Sequence, residues 1–99
     1  MKPSSVVAAP TIDELRRFIH SALCANDRLD PDQSPLVQET IKRSGRTCGL
    51  LFQVQGPRRL KSYAIWAGEE NRILFYDSAG LRIGETRLSD APDPMDLAA

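Results

Sequence analysis

Histidine is nearly absent from this chain, and cysteine is scarce. The 99 residues hold one histidine, His20, and two cysteines, Cys24 and Cys48. Neither cysteine belongs to a C-x-x-C pair, so no zinc or redox spacing is present. Any Ser-His-Asp arrangement would have to use His20, and Ser78 lies in a tight turn whose geometry explains it better than nucleophilicity does. Glycine spacing gives no phosphate loop either: Gly45-Arg46-Thr47 and the Gly80/Gly84 pair lack the Lys-Ser/Thr that such a loop needs. Long apolar runs are missing as well. The N-terminal MKPSSVVAAPT has four consecutive apolar residues, Val6 to Ala9, where a secretory signal needs about 7–15. No segment approaches the roughly 18–20 apolar residues of a membrane span. These absences predict a cytoplasmic chain with reduced thiols, no cofactor, no metal and no enzymatic activity.

Net charge is also lacking: 13 Lys+Arg balance 13 Asp+Glu. That removes the overall basic excess common in nucleic-acid binders. A hydrophobic fraction of 41% with 26% charged residues suits a folded domain rather than a disordered chain. The length suits one domain, expected over residues 10–88. Residues 1–9 read as a flexible arm, and residues 89–99 (SDAPDPMDLAA) as a disordered tail.

Thr11-Ile12-Asp13-Glu14 is a capping box that starts a helix. Ile12, Leu15, Phe18, Ile19, Ala22 and Leu23 follow at helical spacing and make one apolar stripe, which predicts an end near Asn26. A second, shorter helix is expected from Ser34 as N-cap and Pro35 at its first position, contacting through Leu36, Val37, Thr40 and Ile41 and stopped by Gly45. From Thr47 the period changes to two. Four strand-like runs follow, Thr47–Gln55, Arg59–Ala67, Arg72–Asp77 and Leu81–Leu88, with links too short for crossover helices. The expected fold is therefore α+β, with one or two N-terminal helices packed on a four-stranded antiparallel meander.

Turn chemistry suggests a register. Asp77-Ser78-Ala79-Gly80 suits a tight turn with Gly80 left-handed, and Asn71 does the same after Glu69-Glu70. Tyr76–Gly80, YDSAG, resembles one unit of the tyrosine-aspartate hairpin repeat of large secreted shell proteins. The likeness covers five residues, occurs once and follows from turn chemistry, so it implies a turn and no family. With Pro57-Arg58 as a two-residue turn, Phe52 faces Tyr63, Leu50 faces Ile65 and Cys48 faces Ala67. Ile65 then faces Phe75, and Phe75 faces Ile83. One sheet side would collect Cys48, Leu50, Phe52, Val54, Tyr63, Ile65, Ala67, Ile73, Phe75, Leu81 and Ile83. The other would expose Leu51, Trp66, Leu74 and Tyr76 with Arg82 at the margin, Trp66 lying across Gly49.

That second face is the expected partner-binding site, because aromatic residues with arginine dominate protein contacts. The function read here is a small non-enzymatic binding module, its partner another protein or a second copy of the chain. The alternative is a second helix folded over that face, leaving no site.

Charge placement offers another reading. Residues 41–61 hold six cations, Lys42, Arg43, Arg46, Arg58, Arg59 and Lys61, and no acid, while residues 1–40 have four basic against six acidic side chains and residues 62–99 three against seven. Anion or nucleic-acid binding through this segment is the alternative function. It is not favoured, because a strand between the two triplets sends them to opposite ends of the sheet and phosphate binding needs a tracked stripe. The weakest reading is a thiol or metal site at His20 and Cys24, which stand at i, i+4. A metal needs three or four protein ligands, and nothing nearby supplies them.

Overall fold

The computed structural model describes residues 4–55, 61–68 and 70–92. Strand β1 (Ser4–Ala8) leads into helix α1 (Ile12–Asp27), followed by β2 (Leu36–Arg43), β3 (Arg46–Gln55), β4 (Lys61–Ala67), β5 (Arg72–Tyr76) and β6 (Arg82–Asp90). The architecture is α+β: one N-terminal helix on a six-stranded sheet, ordered β1-β6-β5-β4-β3-β2. All neighbours are antiparallel except β1 and β6, which run parallel. The expected four-strand meander is present as β3 to β6 in chain order, with one more strand on each side. Among the described residues no helix is long and apolar enough to cross a membrane.

Helix α1 follows its local chemistry. The Thr11 hydroxyl accepts from the Glu14 N–H at 3.2 Å, and Asp13 and Glu14 lie in the first turn, where the helix dipole favours acids. At the other end Arg28 turns left-handed (φ 55°) and Leu29 N–H reaches the Cys24 carbonyl at 2.7 Å. This is a Schellman closure, although arginine stands where glycine is usual.

The expected second helix is instead β2. Val37, Thr40 and Ile41 are β-branched, and their restricted side chains favour a strand over a helix. Ser44 (φ 54°) and Gly45 (φ 77°) are both left-handed, the geometry of a two-residue hairpin turn joining β2 to β3. Gly45 thus closes a hairpin rather than ending a helix.

The N-terminal arm is likewise corrected over residues 4–8. Val6 pairs with Arg87 and Val7 with Leu88, and the Ala9 N–H donates to the Asp90 carbonyl at 2.9 Å. At the other end β6 runs through Asp90, beyond the predicted Leu88. Ala91 packs against the core, and residues 93–99 of the expected tail lie outside the described residues.

The core lies between α1 and one sheet face. Leu15, Ile19, Leu23 and Cys24 meet Leu50, Phe52, Val54, Ala64, Trp66, Ile73 and Phe75, all buried. Phe18 packs edge-on to Phe75, ring centres 6.5 Å apart, a favoured aromatic geometry. At the end of α1, Asp27 accepts a hydrogen bond from the Ser62 hydroxyl of β4.

Register departs from expectation by one residue at β4. Phe52 pairs with Ala64, Leu50 with Trp66 and Gly49 with Ala67; Ala64 pairs with Phe75, and Ile65 with Leu74. The cause is parity. Gln55 pairs with Lys61, so an odd number of residues separates the strands, where a two-residue turn leaves an even number. Pro57 and Arg58, the expected turn, lie outside the described residues.

Four residues separate Ala67 from Arg72, again the opposite parity to the three expected. The two errors cancel, so β3 and β5 present the expected faces while β4 is turned over. The last turn forms as expected, with Tyr76 opposite Arg82. Asp77 accepts from Ala79 and Leu81, and Gly80 and Asn71 are left-handed. A bulge then places Phe75 opposite Gly84 rather than Ile83, leaving Leu81 and Ile83 exposed.

Candidate functional site

Three parallel rows of side chains cross the sheet face opposite α1. The central row runs Glu39, Leu51, Ile65, Leu74, Glu85 from β2 to β6. On one side lie Val37, Gln53, Tyr63, Tyr76 and Arg82; on the other Ile41, Gly49, Ala67, Arg72 and Arg87. Apolar side chains therefore form a band over β3, β4 and β5, and charged groups stand at its margins. Tyr63 and Tyr76 stack with ring centres 4.9 Å apart and planes 9° from parallel. Cross-strand aromatic pairing of this kind holds register and stiffens the surface.

Helix α1 packs through β3 and β4 on the other side of the sheet. Leu51, Ile65, Leu74, Tyr63 and Tyr76 are only half-buried, and Val37 is 52% exposed. The segment expected to cover this face as a helix is β2, which widens it.

Of the residues assigned to the face from sequence, Leu51, Leu74 and Tyr76 lie on it, and Arg82 stands opposite Tyr76 at its edge. Trp66 does not. It is fully buried, and its indole N–H has no protein partner among the described residues. The Trp66 carbonyl, not its ring, lies against Gly49. Removing this ring tests folding, not binding. Tyr63 and Ile65 replace it on the outer face. Period-two reading misses them because both alternating sets of YAIWA are apolar.

At one margin Arg72 bridges two acids, its Nε 2.7 Å from Glu70 and its Nη1 2.8 Å from Glu85. The Glu70 hydrogen bond first, and then its charge, raise the guanidinium pKa further above its ordinary value. Beside it a cleft of about 240 Å³ opens between the β2–β3 hairpin and β4, lined in part by Ile41, Arg43, Cys48, Ile65 and Glu70. Cys48 is the extra residue of a β3 bulge opposite Ile41 and Lys42. It is half-buried rather than in the core, and its thiol donates to the Ile41 carbonyl at 3.4 Å.

Lys42, Arg43 and Arg46 cluster at the exposed β2–β3 turn, and Lys61 begins β4 at the far end of β3. Ten residues of strand amount to about 33 Å. Arg58 and Arg59 lie outside the described residues. Glu70 shares the cleft with Arg43 but bonds Arg72. Among the described residues Lys42, Arg43 and Arg46 have no carboxylate partner.

His20 and Cys24 diverge. His20 Nε2 lies 2.6 Å from the Ser34 carbonyl, so this nitrogen carries the proton and donates. Cys24 is buried. Burial first, then the charges of Asp27 and Asp30, raise its pKa, opposite to what a nucleophile needs. No group of three metal-ligating side chains occurs among the described residues.

No family model, curated protein or solved structure matches the chain.

Proposed function

We propose that this protein is a small non-enzymatic interaction module whose contact surface is the outer sheet face, and whose partner is another protein chain, a second copy included. The observation that carries the reading is the apolar band of Leu51, Ile65 and Leu74 beside the Tyr63–Tyr76 stack, left half-exposed on the side away from α1. Contiguous apolar surface of this kind marks interfaces more often than chance. The arrangement has an apolar centre and a margin of Glu39, Arg82, Glu85 and Arg87, as protein contacts do. Tyrosines already stacked on each other lose little side-chain freedom on binding.

The test is light scattering across a concentration range, together with partner capture, on wild type and Leu74→Lys. Association that the variant loses while its circular dichroism stays native supports the reading. A wild type that remains monomeric, and captures nothing that Leu74→Lys fails to capture, sinks it.

A second reading, anion or nucleic-acid binding, draws support from Lys42, Arg43 and Arg46, exposed and without carboxylate partners among the described residues. Retention on single-stranded DNA that falls steeply with salt and with Arg46→Ala supports it. No retention at low salt removes it.

A further inference from the structure

Among the described residues, strand β2 ends the sheet and pairs only with β3. Its eight residues, Leu36–Arg43, contain no proline, and the nearby bulge lies on β3, so the outer backbone row of β2 is unbroken. Natural sheets commonly blunt such edges with proline, bulges or a covering element. Here Val37, Gln38, Glu39 and Thr40 are exposed in succession.

Cations stand at both ends of this edge. Beside Leu36 lies an open cleft of about 540 Å³, where Arg16, Arg17 and His20 of α1 face Pro31, Asp32 and Pro35. Arg16 donates to the side chain of Gln38 on β2, which holds its guanidinium over the strand. At the opposite end are Lys42, Arg43 and Arg46. None of these five Arg and Lys side chains has an ion-pair partner among the described residues. The eight-residue strand spans about 25 Å from end to end, with Arg16 held at Gln38, its third residue.

We propose that the β2 edge is a second binding site, for an extended peptide with acidic residues near both ends, which adds to the sheet as a seventh strand. Main-chain hydrogen bonds supply the affinity of strand addition, and side chains supply the choice of partner. Glutamate or aspartate at one end of the peptide reaches Arg16 and Arg17, and at the other Lys42 and Arg43. A phosphate chain fits this edge less well. It makes no use of the unpaired N–H and C=O row, and its continuous charge meets Glu39 midway. Opposed charges at the rim speed encounter and fix register.

The test is fluorescence anisotropy with a labelled peptide of about eight residues, valine and threonine at the centre and two glutamates at each end. Three comparisons accompany it: the same peptide N-methylated on alternate amides, a version with lysine for glutamate, and oligothymidylate as competitor. Saturable binding of the acidic peptide is expected. Methylation or lysine ends should weaken it at least about tenfold, as should Arg43→Glu at the exposed turn. Arg16→Glu should do the same at the other end, with circular dichroism checking its fold; Arg43→Glu carries the test if that variant does not fold. No binding, equal binding of the methylated peptide, displacement by oligothymidylate, or wild-type affinity in Arg43→Glu overturns the proposal. The outer face stays native throughout, so such a failure leaves the proposed function standing.

Discussion

Cys24 and Cys48 are both thiols, yet their surroundings set them apart. Cys24 packs under α1 against the sheet, and Cys48 sits half-buried in a bulge. Burial and the charges of Asp27 and Asp30 hold the Cys24 proton on above its ordinary 9.0. The folded chain thus keeps a proton that the unfolded chain releases. The Cys24 contribution to stability is whole below 9.0 and is lost as pH rises through the higher folded value. Urea midpoints measured from about pH 8 to 11 should fall for wild type and fall less for Cys24→Ala. Parallel curves would mean that Cys24 does not titrate differently on folding. Trp66 teaches a related lesson: aromatic character in a strand does not by itself assign a face.

Among the elements, α1 was legible almost residue by residue, because its cap and stripe are local. The strands β3 to β6 were legible in place and order, because their turns carry Gly80, Asn71 and the period change at Thr47. The face of β4 was not, since Tyr63, Ile65 and Ala67 compete with Ala64 and Trp66 for the core on nearly equal terms. Its neighbour in the sheet leaves a physical mark. A methyl group on Gly49 would sit 2.2 Å from the Trp66 carbonyl oxygen, which is backbone and cannot swing aside. Gly49→Ala should therefore push β3 from β4 and destabilise the fold by about 1–3 kcal/mol, read from urea unfolding. A midpoint equal to wild type would mean that the strands do not approach so closely. The β2 segment was misread because Leu36, Val37, Thr40 and Ile41 satisfy a helical stripe as well as a strand. Its β-branched content and the paired left-handed turn decide for the strand.

Across the molecule, α1 carries the chain from β1 at one edge to β2 at the other, and the meander walks back until β6 meets β1. This parallel closure joins the two ends of the described chain: Val7 pairs with Leu88, and the Ser89 hydroxyl donates to the Val7 carbonyl at 3.5 Å. Removing residues 1–8 should cost about 2–3 kcal/mol, from the lost partial burial of Val7 and the β1–β6 hydrogen bonds. It should also bare the β6 edge and promote association as concentration rises. Melting temperature and light scattering check both. A truncated chain that melts like the whole one would deny β1 a structural role.

The candidate site was legible in the same uneven way. Leu51 comes from a strand and Arg82 from a turn whose placement local chemistry sets; Leu74 and Tyr76 keep the expected face because two loop parities offset each other, whereas Tyr63 and Ile65 are exchanged by one of them. Capping groups, turn residues and the change from helical to alternating period act within a few residues, so the chain alone carries the limits of α1 and the succession β3 to β6. The pairing of β1 with β6, the exposed flank of β2 and the exchange of Trp66 for Ile65 between faces belong to the folded molecule. Each depends on distant backbone meeting distant backbone, and one residue more in a loop or bulge turns a strand over without altering its composition.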